Sequence, residues 1–241
     1  MDVPDTVTRA LADRDVAGET CLEAGAGIGN MTAGLLEAGA GHVYALTNDR
    51  RDAAGVRDRF AEESAAEDRL TLLEADLREI PLPDDAVDVV TAHALFNVLP
   101  PDAATPVARE LSRVAAPGAT LVVDDYDPIP GDCPVRQLFA VENAAAELAN
   151  GRPALVFYPA EGLWRHFAGH GWKFARETSI LEPVPWTKGH LTAHVAEVRG
   201  YTNSVPDPLG KPLVTEAERI AADTGNAEVG RMYSVAMTLP E

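Results

Sequence analysis

Lysine is almost missing from this chain: Lys173, Lys188 and Lys211 are the only three among 241 residues, and 20 basic side chains in all face 38 acidic ones for a formal charge of −18. No basic run exists to track a phosphate backbone or an anionic lipid surface, so in ordinary salt nucleic-acid and membrane partners are disfavoured. In molar salt the charge argument against nucleic acid weakens. Cysteine is equally scarce, and Cys21 and Cys133 lie far apart with no CxxC or Cys/His spacing. That excludes a disulfide framework and gives no zinc site; no metal is expected. No apolar stretch approaches a membrane span, and Asp2, Asp5, Arg9 and Asp13 interrupt any signal-like run at the start. These features predict a cytoplasmic protein. Acid excess, lysine scarcity and abundant alanine together favour adaptation to concentrated salt, where the screening length falls to roughly 3 Å at 1 M. The alternative is an acidic enzyme of ordinary habitat.

What is present is a 46% hydrophobic chain able to bury one sizeable core, read as a single domain over 1–241. Periodicity predicts a helix over Thr6 to Ala12, strands over Thr20 to Ala24, His42 to Leu46, Leu70 to Ala75, Val87 to Ala92 and Ala119 to Asp124, and helices over Asn30 to Glu37, Arg50 to Glu62 and Ala103 to Val114. Later come helices over Val135 to Leu148, Pro159 to Ala168, Leu191 to Val198 and Leu213 to Asp223, with strands over Trp172 to Leu181 and Met232 to Thr238. The alternation predicts an α/β fold: a doubly wound, Rossmann-like, mostly parallel seven-stranded sheet with helices on both faces and an antiparallel final strand. Residues 1–125 would form a cofactor-binding half, with 126–171 and 183–230 covering the substrate side.

The most informative stretch is Cys21-Leu22-Glu23-Ala24-Gly25-Ala26-Gly27-Ile28-Gly29-Asn30, an apolar strand entering a glycine turn and then a helix. Glycines at 25 and 27 let the backbone turn tightly beneath a ligand, and the helix start presents free N–H groups. A dinucleotide fingerprint would need glycine where Asn30 stands. A nicotinamide-dependent reductase would also need a Tyr-x-x-x-Lys pair, and neither Tyr126 nor Tyr158 has lysine four residues on.

The stretch resembles motif I of class I S-adenosylmethionine-dependent methyltransferases. The resemblance continues through Glu74-Ala75-Asp76-Leu77, Ile80 to Val90 and Glu110 to Ala119, covering roughly residues 19 to 125. It implies S-adenosylmethionine as cofactor and S-adenosylhomocysteine as product. By that resemblance Glu23 binds the methionine amino group, directly or through water; Gly25 and Gly27 line the amino-acid moiety, with Ala24 and Ala26 as further cofactor-binding residues; Asp76 accepts from the adenine amino group; and Leu77 offers a backbone N–H to the ring. The family usually carries an acid after the second strand to hold the ribose. Thr47 stands there instead, so Thr47, Asn48 or Asp49 must reach the hydroxyls, unless Asp49 caps the next helix.

His93, leaving the fourth strand where the family lines the pocket, is the candidate general base and a further cofactor contact; the plain alternative is a histidine that only packs. Asp124, Asp125 and Tyr126 are further pocket candidates. Tyr126, Tyr158, Trp186 and His190 are the substrate candidates, with Phe139, Glu142, Trp164, His194 and Tyr201 also on covering segments, whereas Trp164, Phe167 and Trp172 read better as core. The stretch Asn30-Met31-Thr32 is also similar to rRNA adenine dimethyltransferases, but Thr91-Ala92-His93-Ala94 lacks their Asn-Leu-Pro-Tyr or Asn-Pro-Pro-Phe clamp. The expectation is therefore methyl transfer to an oxygen or nitrogen of a small molecule by a monomer or homodimer, with an rRNA enzyme or a non-catalytic S-adenosylmethionine-binding sensor or scaffold as alternatives.

Overall fold

The computed structural model describes residues 2–63 and 68–241. The first half runs α1 (Asp5–Leu11), β1 (Thr20–Ala24), α2 (Asn30–Glu37), β2 (His42–Thr47), α3 (Arg50–Phe60), β3 (Leu70–Glu74), β4 (Val87–His93), α4 (Ala104–Val114) and β5 (Ala115–Tyr126). The second half runs α5 (Pro134–Asn150), α6 (Ala160–Ala168), β6 (Lys173–Leu181), β7 (Pro185–Trp186), α7 (Lys188–Thr202), α8 (Asp207–Thr224), β8 (Ala227–Glu228) and β9 (Met232–Thr238).

Strand β1 is buried on both faces from Cys21 to Ala24, which is the pattern of a central parallel strand. Seven strands form one sheet in the order β3-β2-β1-β4-β5-β9-β6. All run in one direction except β9, which lies antiparallel between β5 and β6. The order turns back on itself between β1 and β4, and an open α/β sheet forms its ligand crevice at such a switch point, beyond the carboxyl ends of the strands.

Alternating side chains divide the core. One face carries Cys21, Val43, Val89, Val122 and Ala236 against Met31 and Leu35 of α2. The other carries Leu22, Leu46, Val90, Leu121 and Val235 against Leu111 of α4 and Phe167 of α6. Helices α5, α7 and α8 pack on one another, whereas α6 packs on β6 and β9. No described helix is long and apolar enough to cross a membrane.

Several elements depart from the sequence reading. Strand β5 begins at Ala115, ahead of the Pro117-Gly118 stop, because the ladder jumps from Ala115 to Thr120 while β4 advances only from Val87 to Val89. The intervening residues bulge out, with Gly118 at φ +86°. Helix α8 runs through Pro212 and starts at Asp207, six residues earlier than the proline suggests. Strands β7 and β8 form a separate two-stranded pair that periodicity does not reveal.

Candidate active site

Glycine conformations and a backbone clamp set the floor of the site. The N–H groups of Gly25 and Ala26 donate to the Leu46 carbonyl at 3.0 and 2.8 Å, which pins the turn after β1 to the end of β2. Gly25 sits at φ +77°, and a Cβ there would lie 2.8 Å from Leu95 Cδ1. Above this turn opens a cavity of about 600 Å³. Glu23, Gly25, Ala26 and Gly27 floor it; Thr47, Asn48 and Asp52 line one side, Asp76 to Arg78 the next, and His93 to Leu95 with Val98 to Pro100 the far wall.

Glu23 is buried, and its carboxylate accepts a hydrogen bond from Thr32 Oγ1 on α2. Burial pushes its carboxyl up to about 7, with the Thr32 hydrogen bond and the His93 charge pulling the other way. A cation in the cavity would hold Glu23 as the carboxylate.

His93 ends β4, and its Nδ1 lies 2.9 Å from Asp124 Oδ2 on β5. Burial alone would lower the imidazole pKa. The hydrogen bond and charge of Asp124, with the charges of Glu23 and Asp125, outweigh that and raise it above the ordinary histidine value. Asp125 faces the opposite side of the sheet, where it accepts from the backbone N–H of Asn97 at 3.0 Å and of Tyr126 at 2.8 Å. Its carboxyl is pushed up to about 7 by burial.

The segment joining β2 to α3 resolves which polar residue faces the cavity. Asp49 turns its carboxylate onto the start of α3, accepting from the N–H of Arg51 at 2.6 Å and of Asp52 at 3.3 Å. Thr47 Oγ1 accepts from the Asp49 N–H at 3.1 Å. Asp52, one helical turn on, lines the cavity, and burial and the neighbouring Asp49 raise its pKa. Asp76 pairs with Arg78 at 2.6 Å, and that hydrogen bond holds its carboxyl below the usual range.

A family model described as a methyltransferase domain matches residues 21–118. A relative from Mycolicibacterium smegmatis, named "Probable S-adenosylmethionine-dependent methyltransferase", is 32% identical over 81% of this chain and 77% of its own length. The chain belongs to the S-adenosylmethionine-dependent methyltransferases. A demethylmenaquinone methyltransferase of Clavibacter sepedonicus is 35% identical over 51% of this methyltransferase and 47% of its own length. A "Probable ribosomal RNA small subunit methyltransferase A" of Haloarcula marismortui is 38% identical over 41% of the chain and 36% of its own length. The chain thus spans half or less of these two curated relatives. Among solved structures, geranyl diphosphate methyltransferase in complex with S-adenosylmethionine superposes with a TM-score of 0.60 at 14% identity, covering 96% of this chain and 84% of that one.

S-adenosylmethionine is the cofactor of this methyltransferase, and the cavity fits it: a buried carboxylate and a glycine cradle that a Cβ would fill lie beneath a space large enough for a nucleoside. Of the residues that the sequence singles out for cofactor binding, the structure brings Glu23, Gly25, Ala26, Gly27, Thr47, Asn48, Asp76, Leu77 and His93 to the cavity wall. Ala24 and Asp49 are not on it: Ala24 is wholly buried within β1, and Asp49 is taken up by its cap. Asp52 was not singled out, because an acid three residues after an N-cap aspartate reads as part of a helix start and not as a cavity residue.

The substrate candidates separate. Tyr126, Trp186 and His190 cluster on the His93 face of the sheet, with ring centroids 5.7 Å apart for Tyr126 and Trp186 and 6.3 Å for Trp186 and His190. His190 helps cap α7, its Nδ1 lying 3.2 Å from the Pro185 carbonyl. Tyr158 packs with the opposite core, and its carbonyl accepts from the buried Tyr233 hydroxyl at 2.8 Å. None of the four lines the cavity. His194 meets Glu142, which sequence spacing could not pair with it, at 2.7 Å, and no metal-binding group occurs among the described residues.

Proposed function

We propose that this methyltransferase delivers its methyl group to an oxygen or nitrogen atom of a small molecule, with His93 as general base. The observation that carries the reading is a histidine held on the cavity wall by a buried aspartate, beside a second buried carboxylate on the floor. When bound, the cofactor supplies an electrophilic methyl group on a sulfonium. The protein's part is then alignment, exclusion of water and removal of a proton. Glu23 holds the ammonium of the methionine moiety, the backbone at Gly25 and Gly27 lets that moiety approach, and Asp76 with Leu77 receives the adenine edge. The ribose hydroxyls fall to Thr47, Asn48 and Asp52, not to Asp49.

Segments 126–171 and 183–230 cover the acceptor side mainly through α5, α7 and α8, with Tyr126 at the end of β5 and Trp186 in β7 packed against each other. The stretch Thr91-Ala92-His93-Ala94, which carries no Asn-Leu-Pro-Tyr or Asn-Pro-Pro-Phe clamp, supports a small acceptor over RNA. The scarcity of cysteine supports a cytoplasmic enzyme, and the acid excess one that works in concentrated salt.

A melting-temperature titration with S-adenosylmethionine, S-adenosylhomocysteine and NADH in high salt tests the cofactor assignment, followed by a methyl-transfer screen of wild type against His93→Ala. Stabilisation by the first two alone, removed by Asp76→Ala, is the expected result. Equal transfer rates with and without His93 would remove it as the base.

A further inference from the structure

Two adjacent acids at the end of β5 point to opposite faces of the sheet. Asp125 holds the backbone after β4, whereas Asp124 faces His93, its partner in the parallel β4–β5 register. Asp124 is fully buried, and its Oδ1 has no hydrogen-bond partner; only Oδ2 is engaged, on His93 Nδ1. The backbone adds a second tie, because the N–H of Ala94 donates to the Asp124 carbonyl at 2.7 Å. Ala94 sits at φ +50°, a left-handed conformation unfavourable for an L-residue that persists only where surrounding contacts impose it. His93 is thus located through both its ring and the peptide that follows.

An ionised carboxylate can only accept, so the ring nitrogen facing it must carry the proton. The imidazole makes no other hydrogen bond among the described residues, which leaves Nε2 unengaged on a side chain that lines the cavity.

We infer that Asp124 is the positioning residue of His93, fixing the Nδ1–H tautomer so that Nε2 is the proton acceptor at the cavity, and that the methyl acceptor this serves is a hydroxyl. The inference rests on the methyl-transfer reading above. A neutral amine attacks with its own lone pair and can lose its proton afterwards to water. A hydroxyl is a weak nucleophile unless its proton leaves as the new bond forms. In that step the hydroxyl oxygen bonds to the methyl carbon, the carbon–sulfur bond breaks with its electron pair left on sulfur, and the hydroxyl proton passes to His93 Nε2. The imidazolium so formed lies against Asp124, with Glu23 of β1 and Asp125 of β5 as the other charges bearing on it.

Histidine-labelled protein, with S-adenosylhomocysteine added and the His93 signals assigned through His93→Gln, tests this by nitrogen NMR across a pH titration. The expected result is a protonated Nδ1 and an unprotonated Nε2 above the titration midpoint. In Asp124→Asn that midpoint falls by about one to three pH units and the tautomer preference is lost. An Nε2–H tautomer in the wild type would overturn the assignment, and so would an unmoved midpoint in a folded Asp124→Asn protein. Phenol, added as a hydroxyl probe, should shift the Nε2 resonance; an unmoved resonance would overturn the hydroxyl acceptor while leaving the role of Asp124 standing. Failure of S-adenosylhomocysteine to raise the wild-type melting temperature would count against the methyl-transfer reading itself.

Discussion

Asp49 and Asp52 are three positions apart and do different work. Asp49 satisfies two backbone donors at the start of α3, so Asp49→Ala should lower stability by about 1 kcal/mol and leave S-adenosylhomocysteine affinity within about twofold. Asp52 faces the cavity, and Asp52→Asn should weaken that affinity about tenfold through loss of a charged hydrogen-bond partner, with little change in melting temperature. Calorimetric titration of both variants separates them; the reverse pattern would return the ribose to Asp49. Glu23 gives a pH signature. Its folded-state pKa is raised, so the stability it contributes is complete below its ordinary value of 4.5 and is lost as pH rises to about 7. His93, also raised, extends the loss on the alkaline side. Urea unfolding of the free protein should therefore show stability declining over that window, and Glu23→Gln should flatten the decline between about 4.5 and 7. Since the bound ammonium needs the carboxylate, ligand affinity should instead fall as pH drops below about 7.

The turn between β1 and α2 was legible from sequence because glycine has few substitutes where the backbone turns left-handed under a ligand. Gly25→Ala should place a methyl against Leu95 and impose strain at φ +77°, reducing S-adenosylhomocysteine affinity by at least about tenfold. Gly27, at φ +51° with open space around its Cβ position, should tolerate alanine with only the conformational cost of roughly 1–2 kcal/mol. Equal losses at both positions would show that close approach at Gly25 plays no part. Strands whose apolar runs are bounded by turns, such as β1 and β9, were readable to the residue. Proline misled at α8, since a helix tolerates Pro212 when its packing against α5 and α7 compensates the missing donor. The pairing of His93 with Asp124 and the division between Asp124 and Asp125 depend on strand register and face, which periodicity in one strand does not specify. Tyr158, in the loop before α6, packs partly buried against the opposite core, a tertiary contact that no local pattern announces.

Across the whole molecule, the charge of −18 sets the solution behaviour. Ion pairs such as Arg199 with Glu218 and Arg219 with Glu216 and Asp223 are exposed and contribute little each. The acid excess remains and repels itself. Raising salt from about 0.1 M to about 1 M shortens the screening length from roughly 10 Å to roughly 3 Å, and the melting temperature should climb over that range. A flat or falling trend would return the composition to an ordinary acidic enzyme. The central claim is that the cavity beyond β1 and β4 holds S-adenosylmethionine through Glu23. Isothermal titration of S-adenosylhomocysteine into the wild type and Glu23→Gln tests it most directly. One-site binding that the substitution weakens by about tenfold or more is the result expected; no binding, or binding indifferent to Glu23, would contradict it.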